Sequence, residues 1–223
     1  MSVLVYSDVE MCGRVLSTLV AAALIENPYS TIGLMYDSAL SPTFKNLSNM
    51  TKDGFISFEK ARIYQLCEFV PSDELAVSVK ELLSEEILSH ADISDDQYIV
   101  PFSQDKNWAQ MCSDFEDDIL EHGGLDISIL ALKPDGSLLY NLPGNDLAPI
   151  THVERIGDDR IVCAGTATVL HSRKIYVVAT GSDCAEAVQK TLKNAISDSN
   201  PASFLQLHQN ITFILDEQAA LKL

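Results

Sequence analysis

Two runs of this chain are apolar at consecutive positions, and that pattern constrains the fold more than any other feature. Residues 125–132 are apolar except for Asp126 and Ser128, and residues 174–180 form a second such run. A strand with no polar face has to be covered on both sides, as in a parallel sheet with helices packed on each face. The flanking segments alternate in kind. Residues 3–6 read as a strand, after which Ser7-Asp8-Val9-Glu10 matches an S-x-x-E capping box opening a helix that runs to Glu26 and stops at Asn27-Pro28. Residues 31–35 read as a buried strand, and Ser41-Pro42 opens another helix. Residues 62–69 are the next strand, residues 73–88 a helix carrying Leu75, Val79, Leu82, Leu83 and Ile87, and residues 97–102 a short extended piece. Trp108, Met111, Cys112, Phe115 and Ile119 fall on one helical stripe that Gly123-Gly124 terminates. After Gly181-Ser182 comes a helix with Val188, Leu192, Ala195 and Ile196, then a short helix at residues 204–207 and a last strand at residues 211–215.

The 223 residues are 47% apolar, which is enough to bury a sizeable core. No repeat, low-complexity tract or Pro/Gly/Ser linker divides them, so the expectation is one α/β domain over residues 1–223: a mainly parallel, doubly wound, Rossmann-like sheet with helices on both faces. Lys and Arg number 15 against 32 Asp and Glu, a formal charge of −17. That argues against nucleic acid as a partner, because phosphate contacts need a basic face. Clusters such as Ser84-Glu85-Glu86 and Glu116-Asp117-Asp118 read as solvated helix faces. The longest apolar stretch, residues 15–25, is about half of the roughly 20 residues a membrane span needs. Asp8 and Glu10 also stand where a signal peptide would be basic. Cys12, Cys67, Cys112, Cys163 and Cys184 form no CxxC and no zinc-ligand spacing with paired histidines, so no metal is expected and reduced thiols in the cytoplasm are the reading.

In folds of this class ligands bind beyond the carboxyl ends of the strands. Those positions hold Tyr36-Asp37-Ser38, Cys67-Glu68, Lys133-Pro134-Asp135-Gly136-Ser137 and Gly181-Ser182-Asp183-Cys184. None forms GxGxxG, GxxxxGK(S/T) or GxSxG, so nucleotide binding and serine-hydrolase chemistry lack their usual frameworks and no cofactor is expected. Taken by themselves, Pro134-Asp135-Gly136 is a tight turn and Cys67 a buried structural thiol. His208 either caps a helix or serves a site.

The segment from Gly123-Gly124-Leu125-Asp126 to Leu132, followed by Asp135-Gly136 and Asn141-Leu142-Pro143-Gly144, resembles a known motif. It is the central motif of the glucosamine- and galactosamine-6-phosphate isomerases/deaminases, G-L-G-x-(N/D)-G-H-(I/L)-x-(F/L)-N-E-P-G. Pro201-Ala202-Ser203-Phe204-Leu205-Gln206-Leu207-His208 is similar to the P-A-S-F-L-x-L-H of that family, especially its galactosamine-phosphate branch. The likeness extends over nearly the whole chain, Gly33-Leu34 and Ile56-Ser57-Phe58 included. It implies a substrate phosphate held by a Gly/Thr-rich loop and a lysine, a ring-opening histidine oriented by a glutamate, and an aspartate in an L-D-E motif that moves a proton between the first two sugar carbons. It also implies a small sugar ligand and self-association into a homo-oligomer.

Carried over residue by residue, the phosphate loop becomes Met35-Tyr36-Asp37-Ser38-Ala39-Leu40, without glycine, and L-D-E becomes Leu66-Cys67-Glu68. The histidine falls on Ser137, its glutamate on Leu142 and the lysine on Cys184, while Asp135 matches a family acid beside Gly136, Asn141 and Pro143. The stretch that holds the substrate lid, residues 144–168, reads as shortened. Candidate catalytic positions are therefore Asp135, Cys67, Glu68 and Ser137, and candidate ligand contacts are Gly33, Tyr36, Asp37, Ser38, Asn141, Cys184 and His208. The leading expectation is a catalytically degenerate family member that acts in binding, regulation or assembly. The alternative is an active isomerase/deaminase or lactonase-like enzyme with an altered substrate and Asp135 as base. A third reading is redox control through Cys67 and Cys184, which both map near the pocket.

Overall fold

A computed structural model describes residues 1–70, 78–101, 107–144 and 150–223. The chain runs β1 (Ser2–Tyr6), α1 (Val9–Glu26), β2 (Thr31–Leu34), α2 (Ser41–Lys52), β3 (Arg62–Gln65), β4 (Cys67–Phe69), α3 (Val79–Leu83) and β5 (Tyr98–Ile99). It continues with α4 (Trp108–Glu121), β6 (Ile127–Ala131), β7 (His152–Ile156), β8 (Asp159–Cys163), α5 (Thr166–Leu170), β9 (Lys174–Ala179), α6 (Ala185–Lys193) and β10 (Ile211–Asp216). Seven strands pair in the order β1-β10-β9-β6-β2-β3-β5, each neighbour parallel, as the apolar runs require. Every residue of β2 and of β6 is buried. At the sheet edge, β1 exposes Ser2, Val3 and Val5.

Local chemistry sets the element ends. The first helix is capped by Asp8 rather than Ser7: Asp8 Oδ1 accepts from the Met11 amide at 2.9 Å, and Ser7 Oγ donates to Asp8 Oδ2 at 2.7 Å. The expected capping box does not form: the cap moves one residue on to Asp8, whose carboxylate accepts from the exposed amide, and Met11 at the third helical position has no group to bond back. α1 and α2 pack in close contact because position 13 has no side chain. A Cβ on Gly13 would lie 2.5 Å from Pro42 Cβ and 2.9 Å from the Thr43 nitrogen.

Several expectations are corrected. Residues 62–69 form two strands, not one: β3 belongs to the parallel sheet, while β4 pairs antiparallel with β8 in a second sheet of order β4-β8-β7. That sheet has no counterpart in the sequence expectation, although Gly157-Asp158 turns its hairpin between β7 and β8. Trp108 leaves the buried stripe of α4: it is 39% exposed, with the Arg160 guanidinium carbon 4.5 Å over its ring, whereas Met111, Cys112, Phe115 and Ile119 are buried. α6 ends at Lys193, so Ala195 and Ile196 lie beyond it, and the late short helix is a 3-10 helix over Pro201–Leu207. Of the helix expected at residues 73–88, the start through residue 77 lies outside the described residues, as does Phe102. The remainder is α3 followed by a wider π-helical turn over Ser84–Leu88. No described helix is long and apolar enough to cross a membrane.

Gly13→Ala should cost about 1–3 kcal/mol, the usual penalty for forcing a methyl group into a packed contact. Urea denaturation at one protein concentration reads it directly, and an unchanged midpoint would mean that α1 and α2 do not approach as closely as described.

Candidate functional site

The ends of β2, β6 and β9, adjacent in the sheet, open onto a cleft of about 380 Å³ lined by Asp37, Ser38, Lys133, Ser182, Asp183 and Cys184 together with neighbouring backbone. Each wall has a local cause. Asp37 caps a 3-10 turn over Ser38–Leu40, its Oδ1 accepting from the Ala39 amide at 3.0 Å. After β6 the chain reverses through Gly136, whose φ of +79° suits glycine, with the Ser137 amide donating to Asp135 Oδ1 at 2.9 Å. After β9, both oxygens of Asp216, at the end of β10, accept from the Gly181 amide at 3.0 Å and fix the third wall.

The cleft is acidic. Asp37 and Asp183 line it against a single lysine, Lys133, among the described lining residues, and Lys133 Nζ sits 3.7 Å from the centroid of the Tyr140 ring. Burial pushes the Tyr36 hydroxyl above its ordinary pKa, with Glu86, Asp37 and Glu85 adding to the shift. The Tyr140 hydroxyl is raised by burial and then by Cys67, Asp37 and Cys163. Lys133 and Tyr140 were not among the candidate residues. The sequence signal for Lys133 was its place directly after an apolar strand, and for Tyr140 there was none.

Cys67 is 1% exposed, and burial pushes its thiol up to about 12, with Lys133 pulling the other way. It therefore keeps its proton at neutral pH. Glu68 is buried beside it and fully engaged. Its two oxygens accept from Gln65 Nε2 (2.8 Å), the Phe69 amide (2.9 Å), Ser78 Oγ (3.0 Å), the Val79 amide (2.8 Å) and the Lys80 amide (3.0 Å). Five donors on one carboxylate make Glu68 a staple between β4 and the start of α3. Ser137 is buried, and its Oγ has no hydrogen-bond partner among the described residues. Asn141 donates from Nδ2 to the Leu138 and Ala164 carbonyls at 2.9 and 3.1 Å, and its Oδ1 likewise has no partner there.

The remaining candidates divide. Asp37, Ser38 and Cys184 come together at the cleft, and exposed Asp135 lies beside it, one residue past the lining Pro134. Cys184 Sγ points to the Leu132 carbonyl at 3.4 Å, and the cysteine facing Cys67 across the second sheet is Cys163. Gly33 lies within β2, where a Cβ would meet Leu66 Cδ2 at 2.9 Å and Leu125 Cδ1 at 3.2 Å, so its lack of a side chain serves strand packing. His208 Nε2 bonds the Ser172 carbonyl at 2.7 Å, just before β9 begins, so the length of that strand, roughly 20 Å, separates it from the cleft. The lid stretch includes residues 145–149, which lie outside the described residues. The part that follows is the β7-β8 hairpin.

No family model matches the chain. A glucosamine-6-phosphate deaminase of Shewanella halifaxensis is 30% identical over 212 residues, covering 87% of this chain and 81% of that protein. One from Clostridium novyi is 29% identical, with both chains covered completely. Among solved structures, a monomeric glucosamine-6-phosphate deaminase superposes over all of both chains with a TM-score of 0.93 at 23% identity. The 6-phosphogluconolactonase of Trypanosoma brucei gives 0.81 at 19% identity, over 100% of this chain and 98% of that one.

All five thiols are buried. A bulky thiol reagent at neutral pH should label the native protein only as fast as it unfolds, and all five sites once it is denatured; rapid native labelling of Cys67 would contradict its burial. The unfolded thiol ionises near 9.0, while Cys67 in the fold holds its proton to about 12. Stability is therefore full below that lower value and should fall as pH rises between the two, by about 1.4 kcal/mol per pH unit from this group. Cys67→Ala should flatten that slope in urea titrations.

Proposed function

Because the chain belongs to the glucosamine-6-phosphate deaminase family, we propose that it is a non-catalytic member of this family of sugar-phosphate enzymes. On this reading it uses the inherited scaffold to bind a small sugar, or a protein partner, in a regulatory or assembly role linked to amino-sugar metabolism. The observation that carries the reading is the charge of the cleft: Asp37 and Asp183 against Lys133. A phosphate dianion entering there meets like charge, and at about 4 Å each unit pair costs roughly 4 kcal/mol at the effective dielectric of a protein surface.

The reaction positions support the same reading. Where the family resemblance places a proton-shuttling aspartate, Cys67 holds its proton well above neutrality. Glu68 has no lone pair left for substrate, Ser137 offers a hydroxyl in place of an imidazole, and Leu142 offers nothing polar. Each general acid or base is worth about 10²–10⁴ in rate, so losing them together removes the chemistry rather than slowing it.

One observation favours an active enzyme with a different substrate. Asp135 is exposed beside the cleft, with one oxygen fixed by the Ser137 amide at 2.9 Å, an arrangement that a general base can use.

Ammonia release from glucosamine-6-phosphate and galactosamine-6-phosphate should stay at background with the purified protein. Turnover in the usual range of about 1–10³ per second would overturn the proposal. Asp135→Asn separates the two readings: a binding protein should keep its fold and its sugar affinity, whereas an enzyme with an altered substrate should lose turnover by at least about a hundredfold.

A further inference from the structure

The second sheet sets two thiols against each other. Cys67 in β4 and Cys163 in β8 are register partners. The Ala164 amide donates to the Leu66 carbonyl and the Val70 amide to the Arg160 carbonyl, both at 2.8 Å. In an antiparallel ladder the bonded pairs alternate, so Leu66 with Ala164, Glu68 with Val162, and Val70 with Arg160 are bonded pairs, and Cys67 with Cys163 falls between them. Residues in such a non-bonded pair have Cα atoms about 4.5 Å apart and side chains on the same face, within the span of roughly 4.4–6.8 Å that a disulfide bridges. Both cysteines are free and buried.

A base stands on the far side of Cys163. His152, its register partner in β7, places Nε2 3.7 Å from Cys163 Sγ. The Nδ1 of the same ring faces the Ile150 carbonyl at 3.1 Å, an acceptor, so Nδ1 carries the proton and Nε2 presents its lone pair to the thiol. Glu154 Oε2, 3.8 Å from Nε2, stabilises the imidazolium once formed. His152 stands on β7, the edge strand of this sheet, and its side chain stays 20% exposed, which gives a small oxidant a way in from that edge.

We propose that Cys67 and Cys163 are a reversible oxidation site at which a small peroxide converts the facing thiols into a disulfide that ties β4 to β8. His152 takes the Cys163 proton, and the thiolate sulfur attacks one peroxide oxygen. The O–O bond breaks, hydroxide leaves and takes up a proton, and Cys163 becomes a sulfenic acid. The Cys67 sulfur then attacks the Cys163 sulfur, expelling water. Two thiols lose two electrons, hydrogen peroxide gains them, and two waters are the by-product. Because burial holds both thiols protonated, the relay through His152 sets the rate. The bond closes the chain between residues 67 and 163 and joins β4 covalently to β8. The site stands apart from the ligand reading above, since it needs no sugar.

Hydrogen peroxide applied to the full chain is the test, with thiols counted after unfolding and linked peptides mapped by mass. The expected result is three remaining thiols of the original five. A Cys67–Cys163 peptide pair should appear, the unfolding midpoint should rise by about 10 °C, and dithiothreitol should reverse both changes. Cys184→Ser should change none of this, and Cys67→Ser should stop Cys163 at a sulfenic acid that dimedone traps. His152→Asn should slow disulfide formation about a hundredfold with an unchanged circular dichroism spectrum. Five surviving thiols, a cross-link between other cysteines, or an unchanged rate in His152→Asn would overturn the proposal.

Discussion

Leu66 carries one hydrogen bond of each sheet, and much of the molecule's layout depends on that division. Its amide donates to the Leu34 carbonyl and so closes the parallel sheet beside β2, while its carbonyl accepts from the Ala164 amide and so opens the antiparallel one, both at 2.8 Å. A chain that changes sheets in one residue exposes buried polar groups at the turn, and each needs a partner. Gln65 supplies it: Nε2 donates to the Cys67 carbonyl at 2.7 Å and to Glu68, and its oxygen takes the Tyr98 hydroxyl. From there Glu68 gathers the start of α3. The position of Cys67 opposite Cys163 follows from the same switch.

The acidity of the chain has two physical meanings. Much of it is solvated surface, but several carboxylates join segments distant in sequence. Glu116, in the middle of an acidic run that reads as a wet helix face, accepts from the Thr151 amide at 2.7 Å, Thr151 Oγ1 at 2.5 Å and Thr168 Oγ1 at 2.6 Å, holding α4 to β7 and α5. Asp118 accepts a two-pronged bond from Arg62, from Nε at 3.1 Å and from Nη2 at 2.8–2.9 Å, and one from the Tyr64 hydroxyl at 2.6 Å. Asp216 fixes the loop after β9 to the end of β10. Carboxylates accept several N–H groups at once, which suits them to loops and helix starts that carry unpaired donors. At the cleft Asp37 caps its own turn with the same chemistry, and its charge also faces whatever enters.

The legible parts of the sequence were those with local causes. Proline at Ser41-Pro42 and the breaker Asn27-Pro28 marked ends that the structure keeps, and consecutive apolar residues marked β2, β6 and β9. The cap read at Ser7 was off by one residue, because Asp8 takes the Met11 amide instead. The candidate site was legible as a set of positions, because residues that follow buried parallel strands must meet at one end of the sheet. Asp37, Ser38 and Cys184 came together for that reason. Gly33 and His208 did not, because one lies within its strand and the other before a strand's start.

The order of apolar runs, turn residues and helix stripes by itself determined that this chain forms a parallel sheet between helices, since burying a strand on both faces leaves few other arrangements. The charges in the cleft were also written in the sequence. Only the tertiary structure decided that residues 62–69 split between two sheets and that β7 and β8 complete the second. It alone put Lys133 on the ring of Tyr140 and Cys163 across from Cys67. These pairings join residues as far apart as 67 and 163, and no local periodicity encodes a contact over that separation. It is fixed by which backbone donors and acceptors remain to be matched once the central sheet has formed.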